Sequence, residues 1–91
     1  MKVLLVEDDP KVASHIANGL LGEGHECITV GDGASGYLQA SNNDLDAVIL
    51  DVMLPELDGF SVLEKLREEG NTTPVLLLSA KSQVEDKVKG L

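Results

Sequence analysis

Apolar positions along the chain alternate between short unbroken runs and longer periodic stretches. Lys2-Val3-Leu4-Leu5-Val6, Leu45 to Leu50 and Val75-Leu76-Leu77-Leu78 are the runs. Their aliphatic character predicts strands buried on both faces. His25 to Val30 is a weaker candidate that closes on Ile28-Thr29-Val30, a segment of good strand propensity. Between the runs, Val12, Ile16, Gly19 and Leu20 recur at helical spacing. Pro10 suits the first turn of that helix with Asp9 as its cap, and Gly22 and Gly24 predict its end. Phe60, Leu63 and Leu66, with Val62 beside them, predict the apolar stripe of another helix, which starts after Asp58-Gly59 and stops at Gly70-Asn71. Gly31 to Gly36 reads as a turn, and Tyr37-Leu38-Gln39-Ala40 as a short helix. Val84, Val88 and Leu91 hold i, i+4, i+7 spacing and begin a last helix.

Strand and helix therefore alternate, which predicts an α/β fold with a parallel sheet, helices on both faces and right-handed crossovers. In such sheets ligands bind beyond the carboxyl ends of the strands. The residues at those ends are Glu7-Asp8-Asp9 after the first strand, Asp51 after the third and Ser79 after the fourth. If the first and third strands are neighbours, Glu7, Asp8 and Asp51 converge. Converging carboxylates repel one another, and a hard divalent cation relieves that repulsion. Oxygen ligands of this kind favour magnesium, which suits phosphoryl chemistry. A carboxylate can itself be the nucleophile and form an aspartyl phosphate. Each residue has a plainer reading taken singly. Asp9 serves as a helix cap, Asp51 as a turn residue and Ser79 as a cap or turn hydroxyl. Three successive acids exceed what capping needs, and the combination at successive strand ends outweighs the single readings.

Composition narrows the partners. The 91 residues carry 16 acidic and 7 basic side chains, a formal net charge of -9. That balance argues against nucleic-acid binding by these residues alone, because phosphate contacts need clustered Lys and Arg. No apolar run approaches the roughly 20 residues of a membrane span, and the first residues do not read as a signal peptide. The expected setting is cytoplasmic. Cys27 is the one cysteine, which excludes a disulfide framework. Gly31-Asp32-Gly33-Ala34-Ser35-Gly36 spells a dinucleotide-binding fingerprint, but Asp32 would face the pyrophosphate and the following helix looks too short. An aspartate-nucleophile phosphatase is a rival for Asp51, yet that class places a second Asp where Met53 stands.

Val3-Leu4-Leu5-Val6-Glu7-Asp8-Asp9, Ile49-Leu50-Asp51-Val52-Met53-Leu54-Pro55, the following Asp58-Gly59, and Pro74-Val75-Leu76-Leu77-Leu78-Ser79-Ala80 form a specific set. On these segments the chain resembles the receiver domain of two-component response regulators from Lys2 to Leu91. The resemblance implies a flavodoxin-like three-layer sandwich with strand order 2-1-3-4. It implies that Asp51 accepts a phosphoryl group from a phosphohistidine on a sensor histidine kinase. Mg2+ would be held by Asp8 and Asp51, by Glu7 through water and by the Met53 backbone carbonyl, and Ser79 would contact the phosphoryl group through its hydroxyl. The Met-Leu-Pro loop is similar to receivers that precede a winged-helix DNA-binding domain, so any contact with DNA belongs to such an output domain.

Receivers of this family have five strands and five helices, and the sequence stops at or just after the fourth helix. The family lysine at the end of the fifth strand, and the aromatic switch residue on that strand, have no match. Lys81 and Lys87 fall after the fourth strand instead. The expectation is a receiver spanning 1–91 that is incomplete at its C-terminus, with the Val75–Leu78 edge inviting self-association or element swapping. It is no ordinary enzyme. Family receivers catalyse their own phosphotransfer and dephosphorylation; the missing lysine puts that in question here and should weaken the active state and its readout. The alternative reading is a phosphorylation-incompetent dimerisation or interaction module.

Overall fold

A computed structural model describes residues 1–78. Ser79 and the predicted last helix around Val84, Val88 and Leu91 lie outside the described residues. The elements run β1 (Lys2–Val6), α1 (Pro10–Gly22), β2 (Glu26–Val30), α2 (Gly33–Asn42), β3 (Ala47–Asp51), α3 (Gly59–Glu68) and β4 (Val75–Leu78). The strands form one sheet in the order β2-β1-β3-β4, and every neighbouring pair is parallel. This is the expected α/β sandwich with the expected strand order.

The aliphatic run of β1 becomes a strand because both of its faces are covered. Val3, Leu4, Leu5 and Val6 are all buried, with β1 flanked by β2 and β3. Successive side chains of a strand point to opposite faces. Leu4 and Val6 join Val48, Leu50, Ala40, Val62 and Leu66 in one core cluster on the side of α2 and α3. Val3 and Leu5 face the other way, where α1 packs on β1 and β2 and buries Ala13. Full burial of one such Leu or Val contributes roughly 1.5–3 kcal/mol, so this central strand anchors everything at its carboxyl end.

Two helices differ from the sequence reading. The turn expected over Gly31 to Gly36 is largely helix, since α2 begins at Gly33. The Asp32 carboxylate caps it, accepting from the Ser35 N–H at 2.7 Å and from the Ser35 hydroxyl at 3.0 Å. These hydrogen bonds hold the Asp32 carboxyl below its ordinary pKa. Gly36 serves close packing rather than turning, because a Cβ there would stand 2.7 Å from a Val6 methyl. In α3 the buried stripe is Gly59, Val62 and Leu66, whereas Phe60 is 59% exposed. Phe60 was expected inside; the glycine beside it takes that place because α3 abuts the backbone of β3.

Candidate metal centre

The carboxyl ends of β1 and β3 are adjacent, and each releases its chain differently. The Glu7 N–H donates to the Val30 carbonyl at 3.0 Å, continuing the β1–β2 ladder one residue beyond the strand. That bond keeps Glu7 at the sheet edge with its side chain 7% exposed. Asp8 is exposed and Asp51 half-buried. Asp9 takes up capping, accepting from the Lys11 and Val12 N–H groups at 2.9 and 3.4 Å. The sequence expectation for Asp9 holds.

Asp51 is the last residue of β3, paired across the ladder with Leu78. One of its oxygens accepts the Met53 N–H at 3.0 Å, a local turn that fixes the carboxylate. Met53 thus contributes a backbone N–H to Asp51, a contact the sequence did not suggest. Glu7, Asp8 and Asp51 each present an oxygen within 4.8 Å of the others. The predicted convergence is therefore present for these three.

Packed together, the acids disturb one another. The Glu7 carboxyl is pushed up to about 8, first by burial, then by its hydrogen bond to Asp51 and the Asp51 charge, then by Asp8 and Asp9. Its Oε2 is buried without a hydrogen-bond partner. Buried polar atoms are normally satisfied, so this oxygen marks a place prepared for something else. An all-carboxylate donor set, graded from buried Glu7 to exposed Asp8, fits a hard cation that keeps some of its water.

The segment 52–58 follows Asp51 and passes two glycines that leave no room for a side chain. Gly59 donates its N–H to the Val52 carbonyl at 3.0 Å, and a Cβ there would collide with the Asp51 carbonyl oxygen. Gly33 is equally confined, since its Cβ would collide with the Leu57 carbonyl oxygen. Between them Glu56 has φ 67, and the Leu57 N–H reaches back to the Pro55 carbonyl at 2.7 Å. That is a γ-turn of the strained, positive-φ kind. Sequence reasoning named Asp58-Gly59 only as a helix start and missed Gly33 and Glu56. Asp58 does cap α3, accepting from the Ser61 N–H at 2.9 Å.

Comparison with known proteins gives this geometry a family. The model of the response regulator receiver domain matches residues 3–91. The chain belongs to that family. The receiver is 45% identical over 91 residues to the transcriptional regulatory protein TcrA of Mycobacterium tuberculosis, covering 100% of this chain and 36% of that protein. It is 46% identical over 90 residues to the transcriptional regulatory protein PcoR of Escherichia coli, covering 99% and 40%. The receiver thus spans less than half the length of these relatives, which are regulators of transcription. Among solved structures, it matches the receiver domain of Francisella response regulator 1452 with a TM-score of 0.85 and 36% identity, over 98% of this chain and 74% of that one. It also matches the receiver domain of sensor histidine kinase PA1611 from Pseudomonas aeruginosa, with a TM-score of 0.83 and 33% identity over 94% and 72% of the two chains. That structure has a magnesium ion coordinated in its active-site cleft. Among the described residues of the receiver, no helix is long and apolar enough to cross a membrane.

In the Gly31–Gly36 segment, the Asp32 carboxylate sits at the N-terminus of α2, the position a pyrophosphate would need. The helix is not too short, but its cap is already occupied.

Proposed function

We propose that the receiver is a phosphoacceptor switch in which Asp51 takes a phosphoryl group from a phosphohistidine of a sensor histidine kinase. The observation that carries this reading is the meeting of Asp51 with Glu7 and Asp8 within 4.8 Å at the carboxyl edge of the sheet. In the transfer, an Asp51 carboxylate oxygen forms a bond to phosphorus as the phosphorus–nitrogen bond breaks. The electron pair returns to the imidazole nitrogen, and because the other ring nitrogen of the phosphohistidine carries a proton, the kinase histidine leaves as neutral imidazole. The Met53 N–H orients the Asp51 carboxylate for that attack. Asp8 and Asp51 would hold Mg2+ directly, with the Met53 carbonyl and, through water, Glu7. When bound, the ion would offset the charge of the phosphoryl oxygens. Glu7 must release its proton to act toward the cation. Ser79, outside the described residues, would meet the phosphoryl group with its hydroxyl.

The output proposed for the longer protein is transcription, through a DNA-binding domain like those of the transcriptional regulators it resembles, and the setting proposed is the cytoplasm. Intact mass spectrometry after incubation with Mg2+ and acetyl phosphate tests the site. One added phosphoryl group is expected, and none on Asp51→Asn. Equal labelling of that variant would refute the assignment, and no labelling of either would favour the interaction module. Self-association through the outer edge of β4 is a further part of the reading. Among the described residues β4 pairs with β3 alone, and Leu76 is 59% exposed. Sedimentation across a range of concentrations is expected to show dimer, and a monomer throughout would remove that part.

A further inference from the structure

At the edge of the sheet opposite β4, main-chain groups stand unused. Among the described residues β2 pairs with β1 alone. Successive residues of a strand send their N–H and carbonyl groups to opposite sides. Glu26 donates its N–H to the Met1 carbonyl at 2.9 Å, and the Val30 carbonyl accepts from the Glu7 N–H at 3.0 Å, so Glu26, Ile28 and Val30 face β1. Cys27 and Thr29 therefore turn their N–H and carbonyl groups outward, where no described residue meets them. Sheet edges are ordinarily guarded by Lys, Pro or a bulge. β2 reads Glu26-Cys27-Ile28-Thr29-Val30 and pairs with β1 residue for residue, so it has none of these. A cleft of 420 Å³ lies between α1 and this strand, lined by Pro10, Ser14, Ala17, Asn18 and Thr29, with Asp8 at the carboxyl end of the sheet.

We propose that the β2 edge receives an extended segment of a partner protein as an added strand, β-branched at its middle and carrying Lys or Arg at its ends. In strand addition, main-chain hydrogen bonds supply affinity, and pockets for alternate side chains supply specificity. Cys27 and Thr29 pair with Val3 and Leu5, which face α1, so partner side chains on that face of the added strand enter the cleft. Charge sets the ends. Glu26 and Asp8 are both exposed, one at each end of the edge, and basic residues complement them. A second copy of the chain fits poorly, because residues 23–32 contain Glu23, Glu26 and Asp32 and no Lys or Arg. Lys81, Lys87 and Lys89 of the same chain lie in a segment whose apolar positions keep helical spacing, a period that does not match a strand edge. That segment also follows β4, three strands and roughly 14 Å from β2. The inference does not depend on phosphate acceptance by Asp51, since the bonds that carry it come from the β2 backbone.

The test uses the 91-residue chain and the fluorescein-labelled peptide Lys-Val-Thr-Val-Thr-Val-Lys, read by anisotropy. Two further peptides carry N-methyl groups, one on the Val amides and one on the Thr amides. Only one of these sets can face β2, so one peptide is expected to bind at least about tenfold more weakly and the other to keep its affinity. Thr29→Pro removes an outward N–H without touching the ladder to β1 and should weaken binding by a similar factor. The methylated peptides decide the matter without it if that variant does not fold. Replacing both Lys of the peptide by Glu should also weaken binding about tenfold. Amide shifts in a titration are expected to centre on 26–31. Equal affinity of the two methylated peptides, shifts centred elsewhere, indifference to the Lys-to-Glu change, or absence of binding would each overturn the proposal.

Discussion

The carboxyl ends of β1 and β3 deliver acids to the same corner by opposite means. After β1 the chain passes from strand to helix within Glu7, Asp8 and Asp9, and the bonds that shape the turn come mostly from its immediate neighbours. Asp9 caps α1, and Glu7 adds a single ladder bond to Val30. After β3 the chain runs through 52–58 before Asp58 caps α3, and distant contacts hold that segment in place. Gly33, from the start of α2, leaves the Leu57 carbonyl no room for a Cβ, and Gly59 leaves none beside the Asp51 carbonyl. One corner is built locally and tolerates change. The other is a fitted joint, and the proposed nucleophile stands at its edge.

The largest expected effect breaks that joint. Gly33→Ala places a methyl where the Leu57 carbonyl oxygen lies, so backbone rather than a flexible side chain must move. The expected loss is about 3 kcal/mol of stability, the upper range for overpacking. Asp9→Ala, its counterpart at the local corner, removes a cap and should cost about 1 kcal/mol. Urea unfolding of the two variants measures both. If Gly33→Ala costs no more than Asp9→Ala, the contrast between the two corners is wrong.

Acidity sharpens the comparison next. Of the three acids after β1, only Glu7 is buried, and its pKa rises from 4.5 to about 8. Between those values the folded protein holds a proton that the unfolded chain has released. The cation-free protein therefore has the full contribution below about pH 4.5 and loses it as pH climbs through about 8. Urea midpoints taken across that window should fall with rising pH, and Glu7→Gln should flatten the trend. Added Mg2+ should restore stability most at the alkaline end, where Glu7 is already ionised. A wild-type midpoint that rises through the same window would contradict the assignment of Glu7 as the buried, protonated acid.

These features differ in how far the sequence announces them. The strands were legible because unbroken aliphatic runs such as Val3 to Val6 admit few other uses, and α1 because Asp9 and Pro10 signal its start within two residues. Strand order followed from the family resemblance, and with it the meeting of Glu7, Asp8 and Asp51. What was not legible depends on neighbours distant in sequence. Gly33 and Gly36 look like turn residues until Leu57 and Val6 are seen against them. Phe60 looks like a core residue until Gly59 is seen taking the contact with β3. Glu7, Asp8 and Asp9 are chemically near-equivalent in sequence, and only the folded sheet edge, where the Glu7 N–H bonds to Val30, shows Glu7 as the buried one.

The smallest expected effect lies within the fitted joint, at Glu56. With φ 67, this residue adopts a backbone conformation that costs an L side chain about 1–2 kcal/mol. Glycine escapes that penalty but gives up some of the gain through the greater freedom of its unfolded chain. Glu56→Gly should therefore stabilise the receiver by about 1 kcal/mol or slightly less, read as a higher urea midpoint at unchanged slope. The sign is the informative part. A stabilising glycine means that the joint holds Glu56 in strain, fixed from both ends by Gly33 and Gly59. A destabilising one means that the Glu56 side chain contributes more to the segment than its backbone strain removes, and the glycine contacts alone would then not account for how the β3 corner is held.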